Sequence, residues 1–144
     1  MDILALLAAF FLVLLNGFFV ATEFAIVKVR PTRIEQMLRD KRPGSRGVRH
    51  MITHLDSYLS ATQFGITLAS LGLGWLGEPA FARVIEPGLS LLGVESEIWL
   101  HRIAMFAAFG TISFLHIVVG ELAPKSLALL RAESVALLAY YPMR

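Results

Sequence analysis

The sequence predicts an all-α membrane protein with three transmembrane helices, juxtamembrane or interfacial helices beside them, an outside N-terminus and a cytosolic C-terminus. Three observations carry this. Of the 144 residues 56% are hydrophobic, with a mean hydropathy of +0.67, well above what a soluble core of this size needs. The apolar residues gather into runs long enough to cross a bilayer. Eight of the thirteen Lys and Arg residues fall between Lys28 and Arg49, directly after the first run.

That first run, Ile3 to Val27, is interrupted only by Asn16, Thr22 and Glu23, and as a helix it is about 37 Å long, enough for a tilted crossing. Met1 and Asp2 precede it where a signal peptide has a basic region, and the run is long for a signal peptide. Basic residues beside a span are held on the cytoplasmic side, so the segment holding Lys28, Arg30, Arg33 and Arg49 faces the cytosol. The net charge of +2 and pI near 9.3 therefore report topology rather than nucleic-acid binding.

Pro31 ends the first span and Thr32 suits a new N-cap. From 32 to about 56, Ile34, Met37 and Leu38, then Val48, Met51, Ile52 and Leu55, recur at helical spacing around Pro43, Gly44 and Ser45. This reads as two short juxtamembrane helices. A second span is expected from Tyr58 to Leu76, ending at Gly77, Glu78 and Pro79. Residues 78 to 97 carry Glu78, Glu86, Glu95 and Glu97 against Arg83 and are expected as an outside hairpin, with Ala80 to Leu92 too short to cross. A third span follows from about Ile98 to Val119, anchored by Trp99. Past Pro124, the charges Lys125, Arg131 and Glu133 make the stretch to Tyr141 an interfacial or cytosolic-side helix rather than a fourth span.

One domain over 1–144 is expected, and its end at Tyr140 to Arg144, without a polar tail, reads as part of a longer protein. Gly17, Ala21 and Ala25 in the first span, and Ala61, Gly65 and Ala69 in the second, repeat at four-residue spacing. Such small residues let helices approach closely, either at a dimer contact or within one protomer.

Ionisable and polar groups inside spans are costly and mark functional sites. Glu23 lies two turns after Asn16 on one face, with neutralisation by Lys28 or a neighbouring helix as the plainer reading. In the second span Ser60, Gln63, Thr67 and Ser70 form one stripe beside Thr62, offering oxygens to a cation or bonding back to their own helix. His116 shares a face with Ser113 and Gly120, and alone reads as a packed residue. Gly120 to Lys125 is the most informative element. Pro124 removes the donor that would occupy the Gly120 carbonyl, so the segment is expected to uncoil and aim carbonyls, with Glu121 beside them, into a cavity. Lys125 can instead pair with Glu121. Mg²⁺ takes about six oxygens, which one carboxylate, several amide or hydroxyl oxygens and freed carbonyls can supply.

The stretches Asn16 to Val27, Tyr58 to Pro79 and Gly120 to Ser126 resemble the transmembrane domain of the CNNM and CorC (HlyC/CorC) proteins, once called a domain of unknown function. The resemblance covers essentially the whole chain. It implies a multi-pass protein of the plasma or inner membrane, a homodimer of three-span protomers, a mid-membrane Mg²⁺ site and Na⁺-coupled Mg²⁺ export. It also implies cytosolic CBS domains, through which nucleotide would act, and a small C-terminal domain, neither of which lies in this sequence. The sequence departs from the pattern at Val20, where transporting members often have Ser, and in the second span, where Thr62, Gln63 and Ile66 stand in the stretch that carries Asn.

The leading expectation is divalent-cation transport by alternating access. Glu121 and the Gly120 carbonyl are the principal contacts, and Asn16, Thr22, Glu23, Thr62 and Gln63 contribute. Export of an organic cation such as a polyamine, or a non-transporting anchor for cytosolic sensor domains, are the alternatives. An enzyme is not expected: cysteine is absent, and no HExxH, G-x-S-x-G or phosphate loop is present.

Overall fold

The computed structural model describes residues 2–93 and 96–144, which form helices, turns and bends with no strand. The readings placed on Met1 and Glu95 lie outside the described residues. Helix α1 (Asp2–Lys28) is followed by two short helices, α2 (Pro31–Arg39) and α3 (Ser45–Thr53), and by the long α4 (Leu55–Leu91). Helix α5 (Glu97–Leu115) runs directly into a π-helical segment, His116–Leu122, and then into α6 (Ala123–Leu130); α7 (Ala132–Met143) ends the chain.

Ile3–Lys28 and Glu97–Leu130 are long and apolar enough to cross a membrane. Their outer surfaces are bare of polar cover: Phe10 and Phe11 of α1, Phe106, Phe109 and Phe114 of α5, and Phe64 and Leu71 of α4 are all exposed. A soluble monomer rarely shows so much contiguous apolar surface, and a lipid-facing surface explains it. Helix α4 packs on both α1 and α5. At about 55 Å it is long enough to cross, but its Ser, Thr, Gln and Gly residues dilute its apolar character.

The break expected at Gly77, Glu78 and Pro79 is corrected: α4 continues through Pro79 and Pro87 to Leu91. Packing outweighs the proline penalty there, because Ala80 and Ala82 are fully buried and Ala82 joins Ala104 and Ala108 of α5 in one apolar cluster. The turn to α5 comes after Leu91, where Gly93 has φ 88°, a left-handed conformation that glycine takes at little cost. Glu86 and His101 pair across the turn at 2.8 Å.

The two expected juxtamembrane helices are α2 and α3. Their buried faces, Ile34 and Met37, then Val48 and Met51, match the periodicity. Ile34, Met37 and Val48 close a core with Ala25 and Val29 of the α1 end, Ala128 of α6 and Ala136 of α7. The basic segment and the chain end are thereby gathered at one end of α1, and Arg33 binds Glu133 at 2.6 Å.

The small-residue stripes pack largely within the protomer. Gly17 faces Pro124, Gly65 lies against the Phe19 ring, Ala69 is buried, and Ala21 joins the core around Ala25. Ala61 is exposed.

The uncoiling expected at Gly120, Pro124 and Lys125 is also corrected. The segment is wound as a π-helix from His116 to Leu122, the Ala123 N–H bonding back to Val118 O, and Pro124 falls in the first turn of α6. Proline is tolerated there because its missing N–H interrupts little. One extra residue in the turn absorbs the misfit that Pro124 imposes, so the helix changes winding instead of breaking.

Candidate functional site

The π segment faces the middle of α1, and a cavity of about 470 Å³ opens where the two meet α4. Its walls are Asn16, Val20, Glu23 and Phe24 of α1, Gln63, Ile66, Thr67 and Ser70 of α4, and His116 and Glu121 of the π segment. Stripes on three separate helices thus converge.

Asn16 organises the floor. It is 2% exposed, and its Nδ2 donates to the Gly120 carbonyl at 2.9 Å. That carbonyl is the one an α-helix would have paired with the nitrogen of Pro124. The Ser70 hydroxyl lies 3.4 Å from both Asn16 Oδ1 and His116 Nε2. Gln63 Nε2 donates to Glu23 Oε1 at 3.3 Å, so the carboxylate of α1 meets an amide of the neighbouring helix. Among the described residues no ion pair joins Glu23 to Lys28 or Glu121 to Lys125. Lys125 Nζ instead sits 4.6 Å from the centre of the Phe24 ring, a cation–π contact, and among the described residues no ion pair neutralises the Glu121 carboxylate. No buried polar side-chain atom lacks a hydrogen bond among the described residues.

Not every expected residue reaches the cavity. Thr22 and Thr62 are fully buried, and their hydroxyls donate to Phe18 O and Leu59 O of their own helices. Ser60 and Thr67 also bond back, to Asp56 O and Gln63 O. Thr67 still lines the wall. Val20 places an apolar group there too, and is 4% exposed. His116, read as a packed residue from its isolation, lines the cavity beside Ser70. Its spacing of four from Gly120 put it on the informative face.

Chemically, the cavity joins two carboxylates, two amides, two hydroxyls and an imidazole, all from groups that can hold a cation or its water shell. No cluster of three or more His, Asp or Glu side chains close enough to hold a bare metal ion occurs among the described residues.

Over residues 7–144 the chain matches the family described as the Cyclin M transmembrane N-terminal domain, CNNM. The chain belongs to this CNNM family. Relatives include the UPF0053 proteins YhdT and YrkA of Bacillus subtilis (strain 168), 48% and 47% identical over 99% and 92% of this chain. The uncharacterized protein Rv1841c of Mycobacterium tuberculosis is 33% identical over 99% of it. The chain spans 31%, 30% and 40% of these relatives' lengths. As a CNNM membrane domain it is similar to the membrane-embedded part of larger proteins, consistent with a transporter or an anchor.

Proposed function

We propose that this CNNM domain carries divalent cations, Mg²⁺ foremost, across the cell membrane by alternating access. In this reading α1, α4 and the α5–π–α6 rod are three crossings, with the N-terminus outside and the basic segment in the cytosol. Two protomers form the working unit, and Na⁺ entry drives Mg²⁺ export. The observation that carries the reading is the meeting of Glu23 and Glu121, from two different helices, in one polar cavity beside the middle of α1. Carboxylates at such depth are expensive unless a cation or water shares the site. Glu121 is the principal contact and Glu23, Asn16 and Gln63 assist; Gly120 acts through its carbonyl, which Asn16 steadies. Thr22 and Thr62 support the helices instead.

One observation favours a second cargo. A cavity of about 470 Å³ lies in the range of small-molecule sites, and with two carboxylates and the apolar Val20 and Ile66 it suits an organic polycation such as a polyamine.

The test is flux in vesicles containing the full-length protein and a Mg²⁺-sensitive dye, with and without an opposing Na⁺ gradient and with spermidine as competitor. Mg²⁺ movement that the Na⁺ gradient accelerates is the expected result. Movement of spermidine without Mg²⁺ would transfer the assignment to the second cargo. If neither moves nor binds, the domain is an anchor.

A further inference from the structure

A larger cavity lies elsewhere, at the end of α1 where α2, α6 and α7 meet, and has a volume of about 720 Å³. Four cations, Lys28, Arg30, Arg33 and Arg131, stand in its wall with a single carboxylate, Glu133. Glu133 is already engaged, by Arg33 at 2.6 Å and by Arg42 at 3.5 Å. Lys28, Arg30 and Arg131 make no ion pair among the described residues. An open concavity with three uncompensated cations carries a positive potential focused by its walls.

The surroundings decide what kind of anion it takes. Leu129 and Leu130 form part of the wall, and Leu130 is 84% exposed. Val27, next to Lys28, is likewise exposed. The basic cavity is thus continuous with the apolar surface of α1 and α6, and an occupant with an anionic head and hydrocarbon tails satisfies both at once. A soluble anion would leave those leucines uncovered. In the membrane reading the cavity lies at the cytoplasmic boundary, where anionic lipid is enriched and each basic side chain near the surface adds to the attraction.

We infer that the cavity between the end of α1 and the α6–α7 bend binds the phosphate headgroup of an anionic phospholipid, held by Lys28, Arg30 and Arg131 with its chains against Leu129 and Leu130. The inference rests on the membrane reading but not on any cargo. Arg33 and Glu133 brace the site, since their pair ties α2 to α7 across it.

The test uses the full-length protein in neutral detergent, titrated with phosphatidylglycerol, with phosphatidylcholine of the same acyl chains and with inorganic phosphate, and followed by thermal unfolding. A ligand that binds only the folded state raises the melting temperature in proportion to its affinity. Phosphatidylglycerol should do so and the other two should not. Lys28→Gln or Arg131→Gln should weaken it about five-fold each, and the double variant about tenfold or more. An equal response to phosphatidylcholine overturns headgroup recognition. Reproduction by inorganic phosphate makes it a soluble-anion site, and an unchanged response of the double variant places the lipid elsewhere. Should the double variant not fold, native mass spectrometry of lipid retained by each single variant makes the same comparison. Mg²⁺ flux is not read here, so failure of this inference and failure of the transport reading remain distinguishable.

Discussion

The side-chain amide of Asn16 donates a hydrogen bond to the main-chain oxygen of Gly120 across 2.9 Å. It joins α1 to the π segment 104 residues later in sequence. Pro124 supplies the reason, since it has no N–H to give that carbonyl. Next to Asn16, Gly17 makes room for the proline ring: an added Cβ would stand 2.9 Å from Pro124 Cγ. Hydrogen bond and close approach together hold the π turn, and with it Glu121, against the first span.

Replacing Asn16 by Ala strands the Gly120 carbonyl in a buried place. An unsatisfied buried acceptor costs about 1–3 kcal/mol, so Asn16→Ala should lower the melting temperature in detergent by several degrees. Asn16→Asp, which keeps the shape but not the donor, should do the same. Wild-type melting of both would show that the bond holds nothing.

Gly17→Ala should destabilise by about 1–3 kcal/mol through overpacking against a ring that cannot turn aside. Gly74→Ala is the matched control. Nothing lies within 4 Å of a Cβ built there, so it should be neutral or slightly stabilising. Equal melting of the two variants would contradict the close approach.

Pro124→Ala restores an N–H that competes with Asn16 for the Gly120 carbonyl and lets the π turn relax toward an α-helix. Glu121 lies within that turn, so relaxing the winding reorients it relative to Glu23, and ion binding should weaken while the protein stays folded. Calorimetric Mg²⁺ titration of folded Pro124→Ala checks this, and unaltered binding would mean the π winding is incidental.

The Arg33 guanidinium is raised above its ordinary value, first by the hydrogen bond it donates to Glu133 and then by the charge of that carboxylate. A base raised on folding contributes stability below its unfolded value and loses it only as pH rises through the folded one. The contribution should therefore stay constant from neutral to mildly alkaline pH. Because the pair is exposed, Glu133→Gln should change melting little, and less still in high salt. A large loss of stability from Glu133→Gln would contradict this.

Much of this was legible in the sequence where a single helix decides the outcome. The apolar run to Val27 and the periodic Ile34, Met37, Val48 and Met51 gave α1, α2 and α3, and Gly120, Glu121 and Pro124 stood out by their own chemistry. What depends on a second helix was not legible. Pro79 reads as a stop until Ala80 and Ala82 are seen buried, with Ala82 against α5. The freed Gly120 carbonyl reads as an uncoiled backbone until Asn16 is seen to meet it. Thr22 and Thr62 looked like ligands because a sequence does not show that a threonine hydroxyl has turned back to its own helix. His116 looked ordinary because spacing does not reveal Ser70 beside it.

The most direct measurement is Mg²⁺ flux through vesicles bearing the full-length protein with Glu121→Gln, beside Glu97→Gln as a control at the far end of the same rod. Loss of the carboxylate in the cavity should cut flux about tenfold or more, with Glu97→Gln indistinguishable from wild type. Wild-type flux through Glu121→Gln would contradict the assignment of this cavity as the ion path.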